Sequence, residues 1–156
     1  MKTVSASIDI GAPPTQVWAV LVDLGRYREW NPLFVEADGN VSEGQRVRLR
    51  TKQPANGRLM TIKPKITVAR PAAELRWATG VAGLVSGEHS FTLAPTDRGT
   101  RVVQSETFKG VLISLTGQAT ADNAKRGFQA LNEALKERAE APACGPPDPH
   151  AIDDSP

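Results

Sequence analysis

Residues 112–140 read LISLTGQATADNAKRGFQALNEALKERAE, and they carry a clear helical pattern. Small and apolar residues recur at helical spacing along one side, from Gly117 through Phe128 to Leu135, while most charged residues lie on the other side. A helix of about 27 residues would be about 40 Å long at 1.5 Å per residue. A glycine inside a helix lowers its stability by about 1 kcal/mol relative to alanine, so we expect the stable part of the helix to begin after Gly117.

The segment before this helix is typical of an antiparallel sheet. Polar and apolar residues alternate in five stretches, at 45–52, 58–69, 74–79, 86–94 and 100–108. Turn-forming residues separate these stretches at intervals of about ten residues, which indicates a meander. Pro64 interrupts the second stretch and predicts an edge position or a bulge there, because proline donates no hydrogen bond to a neighbouring strand.

The first thirty residues add one strand and two short helices. Apolar residues at alternate positions predict a half-buried strand over residues 3–10. A helix is predicted from about Pro13 to Leu24, and a further helical turn ends at Pro32. The whole pattern predicts an α+β fold, in which a curved antiparallel sheet of six to seven strands wraps around the long C-terminal helix.

Length and charge restrict the classes of protein to which the chain can belong. Its 156 residues suit one domain, which we place at residues 1–140; residues 141–156 hold four prolines before His150 and are predicted to be a disordered tail. A net charge of +2 does not favour nucleic-acid binding, and no apolar run is long enough to span a membrane. Cys144 is the single cysteine, which excludes an internal disulfide and favours the cytoplasm. We expect a monomer or a homodimer.

Four basic residues share one face of a predicted strand. Arg46, Arg48, Arg50 and Lys52 stand at alternate positions, so their side chains point the same way. One interpretation is a solvated strand face. The other is a surface that binds phosphate or an acidic partner.

A sheet that curves around one long helix tends to leave space between the two. Positions 117, 121 and 124 of the helix are Gly, Ala and Ala, which are too small to fill a wide sheet. Close packing of a helix on a sheet also favours small residues, so a cavity and tight packing remain alternatives. A cavity in this place would suit an apolar ligand.

Several short motifs stand at defined places in this order of elements: IGAPP at 10–14, WNP at 30–32, GEHSF at 87–91, ETFKG at 106–110 and GFQALN at 127–132. With them, residues 1–140 resemble the START-like helix-grip proteins, in particular the bacterial polyketide cyclase/dehydrase and lipid-transport family. The resemblance implies the helix-grip fold. It implies less about function, because this superfamily includes carriers, ligand-sensing receptors, cyclases and co-chaperones.

Strand alternation selects the polar side chains that would enter a cavity. Phe91 is expected to point inward, so His89 shares its face, and Phe108 places Glu106 and Gln104 on the inner face of the next strand. The turn between the two stretches is short, so they are expected to pair and to bring His89 close to Glu106 or Gln104. Such a pair would orient a ligand or transfer protons. Alternatively, it is a structural polar pair that closes the end of the sheet.

Apolar walls are predicted from the same alternation. Trp77 lies on an inward face, Leu49 faces away from the basic row, and the resemblance implies that Trp30 forms one lip of the pocket. Leu115 would belong to the opposite rim, and residues 81–85 would form a glycine-hinged gate or a packed hairpin tip. Trp30 and Trp77 would serve equally as plain core aromatics, and Leu49 is expected in the core rather than in contact with a ligand. The predicted ligand contacts are Trp30, Leu49, Trp77, His89, Phe91, Gln104, Glu106, Phe108 and Leu115.

Function is predicted from this cavity. The sequence lacks a Ser-centred elbow, a P-loop, a dinucleotide fingerprint and a zinc helix, and we expect neither a cofactor nor a metal. We expect a protein that binds a small hydrophobic or amphipathic molecule, such as a lipid, quinone, isoprenoid or polyketide-like compound. One alternative is a polyketide cyclase or dehydratase that uses His89 and Glu106 for proton transfer. Another is an interaction domain that docks an acidic partner on the basic row.

Overall fold

A computed structural model describes residues 1–53, 56–81, 85–109 and 118–142 of the chain. A short 3-10 turn at Leu24–Arg26 separates the first two helices. The elements in chain order are β1 (Lys2–Ile10), α1 (Pro14–Val22), α2 (Tyr27–Trp30), β2 (Phe34–Asp38), β3 (Arg48–Lys52), β4 (Leu59–Ile62), β5 (Lys65–Arg70), β6 (Glu74–Val81), β7 (Val85–Thr96), β8 (Gly99–Lys109) and α3 (Gln118–Glu140).

The strands form two antiparallel ladders. The larger has five strands in the order β1-β8-β7-β6-β5, and the smaller has three in the order β2-β3-β4. This arrangement, with α1 and α2 after β1 and the long α3 at the C-terminal side, confirms the predicted α+β helix-grip class. The strand number differs from the predicted six to seven, because residues 34–38 form an additional short strand and Pro64 divides the 58–69 stretch into two.

Pro64 separates β4 from β5, at the point where the chain passes from the smaller sheet to the larger one. It is buried between β4 and β5, and its carbonyl accepts a hydrogen bond from Val47 N at 3.1 Å. The strands on either side are both edge strands, and the β5–β6 register shifts between Ile66 and Val68. The prediction of an edge position or a bulge at Pro64 within one strand is therefore modified: Pro64 separates two edge strands, and the bulge lies just beyond it in β5.

The long helix α3 packs across β1 and is tied to the start of the chain at its C-terminal end. Lys136 Nζ donates to the carbonyl of Asp9 at 3.0 Å, and Gln16 Nε2 donates to the carbonyl of Ala139 at 2.6 Å. Glu140 accepts from Lys136 and from the Gly11 backbone N–H, and these two donors hold the pKa of its carboxyl below its ordinary value. The apolar side chains of α3 that complete the core are Phe128, Leu131, Leu135 and Ala139.

Gly99 begins β8 at a point of very close approach. Its φ is +143°, and a Cβ atom there would lie 2.2 Å from the carbonyl oxygen of Ile10. The adjacent Thr100 is buried and donates from Oγ1 to the carbonyl of Ala12 at 2.7 Å. Only glycine fits here without displacing the end of β1.

Three sequence predictions fall wholly or partly outside the described residues. They concern Leu115, the centre of the predicted gate at 82–84, and the predicted tail beyond residue 142. The described part of α3 begins at Gln118, and residues 110–117 before it, Gly117 included, lie outside the described ranges. Within the described ranges, no helix is both long enough and apolar enough to cross a membrane.

Candidate functional site

A cavity of about 540 Å³ lies between α3, the middle strands of the larger sheet and the β3–β4 hairpin. Its wall is mostly aromatic and aliphatic. Among the lining residues that the structure describes, Glu106 is the only acidic one and Lys52 the only basic one. The principal apolar side chains of the wall are Leu33, Phe34, Met60, Ile62, Trp77, Phe108, Ala124 and Phe128.

Two glycines keep the wall open. A Cβ atom on Gly87 would lie 3.3 Å from Thr79 Oγ1, 3.4 Å from Glu106 Oε1 and 3.7 Å from Phe108 Cδ1, all of them atoms of lining residues. On α3, a Cβ atom at Gly127 would lie 3.5 Å from the side chain of Leu33. Larger residues at these two positions would therefore project into the cavity.

The polar end of the cavity is built by the β7–β8 pairing. His89 lies directly opposite Glu106, and Phe91 lies opposite Gln104. The side-chain amide of Gln104 is oriented with Nε2 toward the imidazole, 3.0 Å from His89 Nε2. When the amide nitrogen donates in this contact, His89 Nε2 is the acceptor and the ring proton is on Nδ1. That atom lies 3.7 Å from Glu106 Oε2.

Aromatic rings hold the imidazole in place. The ring of His89 stacks on Trp77 with centroids 4.9 Å apart and planes 3° from parallel. It meets Phe34 and Phe128 edge-on at 5.5 and 5.2 Å, and Phe91 at 5.1 Å. The His89 side chain is only 3% exposed, whereas that of Glu106 is 24% exposed. The carboxylate is therefore the group that a bound molecule would meet first, with the imidazole behind it.

Four of the predicted contact residues line this cavity, namely Trp77, His89, Glu106 and Phe108. Leu49, Phe91 and Gln104 do point inward, but they are fully buried in the core and do not line the cavity. Sequence reasoning missed Phe34, because residues 34–38 are too short and too charged to show alternation. It also missed Met60 and Ile62, which alternation along the 58–69 stretch would have placed on one face.

Trp30 does not line this cavity. The side chain of Asn31 accepts hydrogen bonds from the backbone N–H groups of Leu33 and Phe34, at 3.1 and 2.8 Å. This turn directs Leu33 and Phe34 to the cavity and leaves Trp30 on the other side, where its ring packs edge-on against Tyr27 at 5.2 Å. There it lines a separate, more polar depression beside the end of α3.

Two of the four residues of the basic row form ion pairs within the smaller sheet. Arg48 pairs with Asp38, and Arg50 pairs with Glu36 at 3.1 Å. Arg46 donates to the carbonyl of Lys63 at 2.9 Å. Cross-strand ion pairs on an exposed face are what the solvated-face interpretation requires, and they weaken the case for an acidic partner on this row.

The fold is shared with many solved structures of low sequence identity. A START superfamily protein from Mycobacterium smegmatis is 16% identical, with a TM-score of 0.72 over 88% of this chain and 97% of that one. Protein TTHA0849 from Thermus thermophilus is 21% identical, with a TM-score of 0.70 over 88% and 97%. DynU16, a protein of the dynemicin biosynthetic locus, is 16% identical, with a TM-score of 0.69 over 90% of this chain and 48% of that one. At these identities the likeness shows the fold alone.

Comparison with curated protein sequences gave no match. The sequence does match a family model, that of the polyketide cyclase / dehydrase and lipid transport family, over residues 1–140. This covers every element from β1 to α3, including both strands that carry His89 and Glu106. The chain therefore belongs to the polyketide cyclase / dehydrase and lipid transport family.

Proposed function

We propose that the protein binds a small, mainly apolar molecule in the cavity, with a hydrogen-bond donor of that molecule directed at Glu106. The observation that carries this proposal is a carboxylate at the polar end of a cavity with an aromatic wall. A volume of about 540 Å³ falls in the range of roughly 300–1,000 Å³ that is usual for small-molecule sites.

The chemistry of the polar end of the cavity further restricts the class of ligand. A carboxylate only accepts hydrogen bonds, and the nearest imidazole nitrogen, His89 Nδ1, lies 3.7 Å from Glu106 Oε2. A hydroxyl, phenol or amine therefore suits this end of the cavity. A fatty acid would bring a second negative charge close to the first, and a quinone would bring only acceptors. We thus favour hydroxylated isoprenoids, alcohols and phenolic ring systems over fatty acids and quinones.

The test uses ligands that differ in one group. The protein is first examined by native mass spectrometry, and any bound compound is extracted and identified. A long-chain alcohol and the fatty acid of the same chain length are then titrated by displacement of a fluorescent apolar probe. We expect the alcohol to bind at least about ten-fold more tightly, since a hydrogen bond to a charged group contributes about 1.5–3 kcal/mol.

Glu106→Gln should remove most of this preference, while Glu133→Gln, at an exposed position of α3, should leave it unchanged. If neither compound binds and no adduct is found, the proposed function is wrong. If the fatty acid binds as tightly as the alcohol and Glu106→Gln has no effect, the cavity still binds ligands, but Glu106 does not determine which ligand is preferred.

The His89–Glu106 pair supports a second candidate, a cyclase or dehydratase acting in the same cavity. In that reaction Glu106 would contact the substrate and move its proton, and His89 would be a positioning residue that directs Nδ1–H toward the carboxylate. Incubation with a poly-β-ketone analogue would then give either a cyclised isomer of unchanged mass, detected by its ultraviolet absorbance, or a dehydrated product that is lighter by one water. His89→Gln should abolish turnover and retain binding, whereas an analogue that binds but is recovered with unchanged mass and absorbance excludes this candidate.

A further inference from the structure

Positive charge is concentrated in one part of the chain. Residues 46–70 contain eight Lys and Arg residues and no Asp or Glu. The remaining residues hold the other eleven of the nineteen basic residues and all seventeen acidic ones. The small net charge of the protein therefore conceals a basic segment, comprising β3, β4 and β5, on an otherwise acidic molecule.

Most of these cations have no carboxylate partner. Arg48, Arg50 and Arg70 form ion pairs with Asp38, Glu36 and Glu74. The other five are exposed, and none of them lies within 4.0 Å of a carboxylate in the described part of the chain; they are Arg46, Lys52, Arg58, Lys63 and Lys65. Of these five, Lys52 and Arg58 lie at the turn end of the β3–β4 hairpin, because Lys52 pairs with Leu59. Arg46, Lys63 and Lys65 lie together at the other end of the two strands.

Two large apolar side chains are exposed in the same place. Leu59 and Met60 are 46% and 40% exposed, and they lie opposite Lys52 and Thr51 at the end of the hairpin. Consecutive residues of a strand point to opposite faces, so the exposure of both shows that the hairpin end projects from the body of the fold. Met60 and Lys52 also line the cavity, which places this projection at the cavity mouth.

We propose that the end of the β3–β4 hairpin docks on an anionic lipid membrane, with Leu59 and Met60 in the interface and the flanking cations on the lipid headgroups. Apolar side chains ringed by Lys and Arg are suited to an anionic bilayer surface. A nucleic acid would use the cations but not the exposed Leu59 and Met60. A second copy of the chain would bring two uncompensated basic segments together. The membrane is the partner that uses both features, and docking would turn the cavity mouth toward the lipid.

The experiment is vesicle flotation with the full chain. Vesicles of phosphatidylcholine alone are compared with vesicles that also contain phosphatidylglycerol, at low and high salt. We expect binding to the anionic vesicles only, weakened by salt. Lys52→Gln with Arg58→Gln should lower the partition coefficient about 25-fold, at about five-fold for each cation. Leu59→Ser with Met60→Ser should lower it roughly ten-fold or more.

The matched control removes two exposed cations elsewhere. Arg98→Gln with Lys125→Gln has the same net charge as the first variant and should change partitioning less than two-fold. Failure of the wild type to bind anionic vesicles, or an equal loss in the control variant, overturns the proposal. A serine variant that binds vesicles normally also overturns the proposal. If that variant has lost self-association, the apolar pair contacts a second copy of the chain. If it still binds a soluble polyanion, the surface binds an acidic macromolecule.

Discussion

Replacing Asn132 by leucine should stabilise the protein. Asn132 lies on the buried face of α3 and is 2% exposed, and neither atom of its amide has a hydrogen-bond partner among the described residues. A buried polar group without a partner costs about 1–3 kcal/mol, and leucine has a similar branched shape. Leucine also favours a helix by about 0.5 kcal/mol over asparagine. We expect the free energy of unfolding to rise by about 2 kcal/mol and Tm by about 4–8 °C.

The measurement is urea unfolding followed by tryptophan fluorescence, with a thermal scan on the same samples. Gln129→Leu, at an exposed position of the same helix, is the control and should change stability by less than about 0.5 kcal/mol. Because Asn132 does not line the cavity, ligand binding should be retained. A leucine variant that unfolds at lower urea with an unchanged m-value would show that the core favours the amide, and the reasoning would be wrong.

Three further predictions follow from the backbone, the core and the cavity wall. Gly99→Ala should cost about 3 kcal/mol or more, measured by urea unfolding, because its Cβ would collide with the Ile10 carbonyl; Gly25→Ala, with open space around it, should cost under about 1 kcal/mol. Burial raises the pKa of Tyr27, the only tyrosine, so stability should hold up to about pH 10 and fall above it as the unfolded chain loses the phenolic proton. Tyrosinate absorbance should therefore appear together with unfolding, and an earlier, reversible appearance in the folded protein would contradict this. Gly87→Leu should block long ligands while circular dichroism stays native, and unchanged binding would place the ligand elsewhere.

The fold was predictable where the sequence pattern is local and repeated. Alternation along β7 and β8 placed His89, Gln104 and Glu106 on one face, and the short turn between the strands predicted their pairing. The break at Pro64 was predictable because proline lacks the donor that a strand needs. The small sheet was harder, because β2 has five residues and β3 and β4 are separated by a loop, so their pairing depends on contacts distant in the sequence.

For the site, the sequence predicted only the face of the strand to which each side chain points. Periodicity does not specify where a helix terminus directs a side chain, and the Asn31 turn moved Trp30 away from the cavity. Periodicity also does not specify how deeply a side chain is buried: Gln104 and Glu106 lie on the same strand face, but only Glu106 is accessible. A count of acidic residues in a sliding window would have found the basic segment at 46–70, which the total charge hides.

The polar contacts at the end of α3 have a mechanical consequence. Lys136, Ala139 and Glu140 tie that end to Asp9, Gly11 and Gln16, while the cavity lies beside Ala124 and Phe128, about two to four turns closer to the other end. The helix has 23 described residues and is about 34 Å long. A tilt of about 5° about the junction with α1 would move its far end by about 3 Å and Phe128, which lies about half as far from the junction, by about 1.5 Å.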